Sequence, residues 1–157
     1  MRTRTYRSLV TLGGGLGLIA SIYAALEVYY ASLAGACSIT AYVNCGKILN
    51  SGKTTTLGIS DWIWGVAGFV LILALAILAE QYRRDSRLPY ALLTFTTAGI
   101  GLAVYFLYVE VVEIHGLCPV CVAAYLCGVI AWVGAIGLAR KTYRREHRPP
   151  TAAVAEA

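Results

Sequence analysis

The sequence predicts an all-α polytopic membrane protein, a four-transmembrane-helix bundle with an outward-facing capping loop. Three observations carry that expectation. Of the 157 residues, 59% are hydrophobic and only 13% are charged, whereas a soluble domain is about 45–50% apolar and roughly 25% charged. The apolar residues fall in long uninterrupted runs, giving a mean hydropathy of +0.69 and arguing for lipid as the solvent. The net charge of +5 sits in short runs between those stretches. Neither disorder nor a basic nucleic-acid-binding domain fits that pattern.

A transmembrane helix needs about 20 consecutive, mostly apolar residues to cross a hydrocarbon core roughly 30 Å thick. Four stretches meet or approach that length: 8–34, 62–79, 88–109 and 118–139. The second is short and borrows the interfacial Trp62 and Trp64 at one end. Between the spans lie a long polar loop (35–61), a basic loop (80–87) and a tight turn around His115 and Gly116. The chain reads as one membrane domain. Its tail, 140–157, is polar and then Pro- and Ala-rich, and its last residues are expected to be disordered.

Short loops rich in Lys and Arg stay in the cytoplasm. Arg2, Arg4 and Arg7 precede span one, Arg83, Arg84 and Arg87 separate spans two and three, and Arg140, Lys141, Arg144, Arg145 and Arg148 follow span four. That places 11 of 13 basic residues on one side, with only Lys47 and Lys53 on the other. Both termini are therefore expected in the cytoplasm, and the long loop outside. A cleaved signal peptide is the competing reading of the N-terminus, because Ala34-Gly35-Ala36 resembles a cleavage site. The apolar run before it is far longer than the 7–15 residues or so of a signal core, and it contains Glu27.

Glycines recur inside the spans, including Gly13, Gly17, Gly65, Gly68, Gly99, Gly101, Gly134 and Gly137. A dinucleotide fingerprint would need a strand and a βαβ unit, which this sequence lacks. The expectation is close approach of helix backbones, as in Gly13-x-x-x-Gly17.

Chemistry resides in the cysteines. Of five, four lie in or beside the outward loops: Cys37 and Cys45, with seven residues between them, and Cys118-Pro119-Val120-Cys121 where span four begins. Disulfides persist in oxidising compartments and are rare in cytosol. Two pairs on that face, one of them Cys-x-x-Cys, point to thiol–disulfide exchange. Proline suits the first helical position because it lacks the orphan N–H. Cys118 then falls at the helix end, whose partial positive charge favours thiolate. Residues 118, 121 and 125 share one helix face by i, i+3 and i+4 spacing. Tyr125 therefore brings a hydroxyl one turn below Cys121, where a ligand carbonyl would satisfy it. Two static disulfides would also explain the cysteines, and a zinc site is a weaker alternative because only one pair has ligand spacing. Cys127 lies about 240° around the helix from Cys121 and reads as an apolar filler.

With four spans, a first-loop Cys37-x7-Cys45 pair and Cys118-x-x-Cys121 opening span four, the chain resembles the vitamin K epoxide reductase family. Ser51, six residues after Cys45, falls where that family carries Ser or Thr. Tyr125, four after Cys121, falls where animal members carry the quinone-binding tyrosine. Gly58-Ile59 followed by Gly65 resembles the start of span two in bacterial members. Disulfide oxidases of the DsbB kind have the two pairs in the opposite order. The resemblance covers roughly residues 9 to 139. It implies a bacterial or archaeal type without a fused thioredoxin-like domain, since the chain ends shortly after span four. Two positions depart from the pattern: Ser60 stands where bacterial members often have Pro, and span two lacks the Asn that holds quinone in animal enzymes.

The resemblance implies a membrane thiol–disulfide oxidoreductase that supports disulfide-bond formation. Electrons would enter at Cys37 from a reduced thioredoxin-fold (DsbA-like) protein on the outer face. Cys45 would then attack Cys118 and free Cys121, which reduces a quinone of the ubiquinone, menaquinone or vitamin K type. Tyr125, and Ser51 with it, would hold that quinone. No metal and no nucleic acid are implied. A short helix over 46–50, ended by Gly52, is expected to cap the bundle. Glu27, Glu110 and Glu113 fall at similar depths and are candidates for a proton relay, while His115 reads as a solvated turn residue. Two rivals stand beside this reading: reduction of vitamin K epoxide as the main role, and a non-catalytic membrane subunit with structural disulfides.

Overall fold

The computed structural model describes residues 3–30, 37–53, 55–56, 58–82 and 85–147. The end of span one (31–34), the cleavage-like Ala34-Gly35-Ala36, the tail 148–157, and Arg2, Arg83, Arg84 and Arg148 lie outside the described residues. Four long helices dominate: α1 (Thr3–Tyr29), α3 (Asp61–Gln81), α4 (Arg87–Tyr108) and α5 (Pro119–Glu146). Each is long and apolar enough to cross a membrane. The helices α1 and α5 run past the apolar stretches, α1 starting at Thr3 and α5 ending at Glu146. Apolarity limits only the part of a helix in lipid. Basic residues such as Arg144 and Arg145 suit a helix's C-terminal turn, where the macrodipole favours cations.

Side-chain size decides which helices touch. A Cβ on Gly13 would lie 2.6 Å from the Cys127 carbonyl oxygen of α5. One turn on, Gly17 receives the Phe69 ring of α3. The Gly13-x-x-x-Gly17 pair therefore serves two partners rather than one seam. Gly134 and Gly137 of α5 make room for Tyr6 in the same way. Gly15, Gly68, Gly99 and Gly101 face no neighbouring atom within 4 Å, so the expected close approach fails there. The buried centre gathers Val10, Phe69, Ile72, Leu92, Ala131 and Leu138. Leu12, Leu16, Val70, Ile77, Val104 and Leu126 are exposed, as lipid-facing positions should be.

Polar contacts order the helix ends. Arg7 pairs with Glu80 at 3.4 Å, Lys141 Nζ donates to Thr3 Oγ1 at 3.1 Å, and the Tyr90 hydroxyl donates to Glu146 at 3.2 Å. The start of α1, the end of α3, the start of α4 and the end of α5 thus share one end of an antiparallel bundle.

The opposite end carries the irregular structure. Helix α2 (Cys45–Leu49) is capped by Asn44, whose Oδ1 accepts from Lys47 N at 3.0 Å. A small antiparallel hairpin follows, β1 (Thr55–Thr56) with β2 (Ile59–Ser60), turning through Gly58 at φ 78°. These two-residue strands lie in the capping loop and leave the all-α class of the bundle unchanged. Glycine is required at that turn because a side chain is strained at positive φ. Ser60 precedes α3 in extended conformation, but its side chain makes no capping bond. Helix α4 continues into a π-helical turn, Val109–Glu113, before the chain reverses through His115 at φ 53°.

Candidate redox site

The first half of the site is built by a backbone splice. Val43 pairs with Leu117 in a parallel bridge, Asn44 N donates to Leu117 O at 3.2 Å, and Leu117 N donates to Tyr42 O at 2.9 Å. Gly116 permits this approach, since a Cβ there would crowd Tyr42 O at 3.3 Å. The splice sets the start of α2 against the start of α5, and with them Cys45 against Cys118. Their sulfurs lie 3.2 Å apart. Cys37 is disulfide-bonded to Cys45. Cys118 is the N-cap of α5 with Pro119 directly after it, as the sequence suggests, and its Sγ accepts from Cys121 N at 3.3 Å. The Cys121 sulfur is 2.7 Å from that of Cys118. The four cysteines therefore form one continuous row, Cys37–Cys45–Cys118–Cys121. All four are buried, packed with Ala24, Ile48 and Leu49. Cys127 stands apart, against the central core.

The second half lies on the bundle side of Cys121. Glu110 opens the acidic part of the π-helical turn and is fully buried. Its Oε1 accepts from the Tyr125 hydroxyl at 2.8 Å, and its Oε2 from Cys118 N at 3.2 Å. Asp61, the first residue of α3, brings a carboxyl oxygen within 4.8 Å of both a Glu110 oxygen and the Cys121 sulfur. Its Oδ2 is buried without a hydrogen-bond partner among the described residues. Below lies a cavity of about 380 Å³ between α1, α3, α4 and α5. Phe69, Phe106 and Trp62 contribute apolar wall, and Asp61, Cys121 and Tyr125 form its polar edge. Gly68 and Gly99, which touch no helix, leave room in this cavity.

The sequence-predicted residues separate accordingly. Cys37, Cys45, Cys118, Cys121 and Tyr125 come together. Ser51 does not line the cavity: its hydroxyl donates to Ile48 O at 2.8 Å and closes the end of α2. The three glutamates differ in setting. Glu110 is in the site, Glu27 is buried in α1, and Glu113 is exposed because the π-helical turn rotates it outward. His115 is exposed in its turn, and its carbonyl accepts from Lys47 Nζ at 3.3 Å. Sequence reasoning missed Asp61. An aspartate in a helix's first turn is ordinarily a favourable end charge, so nothing in the sequence marks this one as facing inward.

The family model of the vitamin K epoxide reductase family matches residues 8–136. The chain belongs to the vitamin K epoxide reductase family. No curated protein matches it. As a family member it is a multi-pass membrane oxidoreductase, and the adjacent cysteines support disulfide chemistry. Span two lacks the Asn of animal members, but its first residue, Asp61, lines the cavity.

Proposed function

We propose that this vitamin K epoxide reductase homologue moves electrons from a reduced thioredoxin-fold protein to a membrane quinone, and so supports disulfide-bond formation. The observation that carries the reading is the row of four sulfurs, with Cys45 at 3.2 Å from Cys118 and Cys121 at 2.7 Å beyond it. Exchange passes through mixed disulfides, so each thiolate must reach the next sulfur. The partner's dithiol attacks the Cys37–Cys45 disulfide at Cys37 and leaves oxidised, with both cysteines reduced. Cys45 attacks Cys118 of a Cys118–Cys121 disulfide and releases Cys121 as thiolate, which then takes up the proton that Cys45 gave up. Cys37 then attacks Cys45, restoring the first disulfide and leaving Cys118 and Cys121 reduced.

The final acceptor must dissolve in the membrane and take two electrons with two protons, and a quinone supplies that chemistry. The residues present fit such a group. The cavity's volume, about 380 Å³, falls within the range of small-molecule sites. Its walls are apolar and its polar edge holds Cys121, Tyr125 and Asp61, whose Oδ2 has no partner among the described residues. Tyr125 and Asp61 orient an acceptor oxygen beside Cys121. Ser51 acts at one remove, by closing the end of the helix that begins with Cys45.

The basic ends of the helices fit a cytoplasmic placement, which puts both termini inside and both cysteine pairs outside. The test is quinone-dependent oxidation of a reduced thioredoxin-fold protein by the purified protein in lipid. Turnover that requires all four cysteines and a quinone is expected. Fixed disulfides that never exchange with the partner would identify a structural scaffold instead.

A further inference from the structure

Resting on the quinone reading above, we infer that Asp61, resupplied through Tyr125 and Glu110, is the acid that protonates the acceptor's oxygen. Reduction by Cys118 and Cys121 releases two electrons and two protons as their disulfide forms, and the quinone must take up both. Electrons have a direct route from Cys121. Protons need one, because the walls of the cavity are apolar and the sulfurs are buried.

The side chains around Cys121 supply that route. Glu110 is fully buried, yet it receives two donors, the Tyr125 hydroxyl at 2.8 Å and Cys118 N at 3.2 Å. Two donors hold both carboxyl oxygens in place, with lone pairs left over to accept a proton. The Cys121 thiol faces the same carboxylate. Tyr125 faces Asp61 as well as Glu110, so its hydroxyl stands between the two acids. Asp61 Oδ2 has no partner among the described residues and lies on the cavity edge. Buried polar groups normally find one. A carboxyl oxygen left over at the rim of an apolar cavity is suited to a ligand oxygen.

The steps balance. A thiol proton from Cys121 passes to the Glu110 carboxylate. Protonated Glu110 donates to the Tyr125 oxygen, and the Tyr125 hydroxyl turns its own proton to Asp61. Asp61, carrying a proton, gives it to the acceptor oxygen and is recharged from Tyr125. The proton of Cys118 leaves to water as the Cys118–Cys121 disulfide closes, the acceptor's other oxygen takes the second proton from water, and no other oxidant or reductant enters. The titratable groups that face Asp61 are Glu110, Tyr125 and Cys121.

The experiment uses the full chain in lipid, with a reduced thioredoxin-fold protein and a soluble short-chain quinone. Asp61→Asn keeps a hydrogen-bond donor for the acceptor oxygen but cannot release a proton. Its kcat should fall about 100-fold, the size expected of general-acid catalysis, with KM within about twofold. Exchange between the partner and Cys37 should persist. Wild-type kcat in Asp61→Asn, or a raised KM with unchanged kcat, would overturn the assignment. A second measurement needs no variant: the infrared difference spectrum of the wild-type protein on reducing Cys118–Cys121. A change in the protonated-carboxyl band is expected, and a spectrum without one would overturn the relay. A wild-type protein with no quinone-dependent turnover would instead defeat the quinone reading itself.

Discussion

The Cys45 sulfur lies 3.2 Å from the Cys118 sulfur, although 73 residues separate them in the chain. Two independent features hold that contact. The bridge between Val43 and Leu117 fixes the backbones, and the Asn44 cap fixes the first turn of α2. Both cysteines are buried, so competing thiols have little access to the pair.

That geometry predicts the product of a blocked relay. Cys121→Ala removes the neighbour of Cys118, leaving Cys45 as the sulfur next to it. With reduced partner present, a Cys45–Cys118 disulfide should accumulate, detectable by non-reducing peptide mapping. Finding only Cys37–Cys45 would count against transfer between the two pairs.

The sequence revealed the spans because lipid tolerates only long apolar helices, and it revealed the cysteines because their spacing is compact. It could not reveal which helix each glycine faces. Gly13 and Gly17 read as one stripe, yet they meet α5 and α3 respectively. Helical spacing places residues on a face without saying what covers that face. Asp61 was hidden for the related reason that a helix-start aspartate ordinarily points to solvent. Glu110 was visible as an intramembrane acid, but its neighbours depend on the π-helical turn at Val109–Glu113. One extra residue in a helical turn rotates all that follows, which is why Glu110 faces inward and Glu113 outward.

Sidedness is the next prediction. The Arg7–Glu80, Lys141–Thr3 and Tyr90–Glu146 contacts gather four helix ends together. With the basic residues at those ends, a cytoplasm-only reporter fused after Glu146 should be active. An outward-only reporter inserted at Gly52, an exposed turn position with φ 68°, should be active too. Inactivity at Gly52, or recovery of a chain that starts at Cys37, would defeat the orientation.

Helix packing gives a stability test with an internal control. A Cβ on Gly134 would lie 2.8 Å from both Tyr6 O and a methyl of Val10. Gly134→Val should destabilise the bundle by about 1–3 kcal/mol, as overpacking does. Gly15 faces no atom within 4 Å, so Gly15→Ala should leave thermal unfolding in detergent unchanged or slightly raised, given the better helix propensity of Ala. Equal losses in the two variants would mean that α1 and α5 are not packed through Gly134.

Tyr125 tests the link between binding and proton supply. Its hydroxyl donates to Glu110 at 2.8 Å and sits on the cavity's polar edge. Tyr125→Phe keeps the ring and removes one hydrogen bond, worth roughly 0.5–1.5 kcal/mol net, and more when a buried carboxylate loses its donor. If the hydroxyl both holds the acceptor and connects Glu110 to Asp61, KM for quinone should rise several-fold and kcat should fall with it. Exchange between the partner and Cys37 should be intact, because Tyr125 belongs to neither cysteine pair. Steady-state kinetics against quinone, alongside single-turnover oxidation of the partner, separate these effects. A variant with lower thermal stability but unchanged quinone kinetics would make Tyr125 a packing residue, whose phenol serves only to satisfy the buried Glu110.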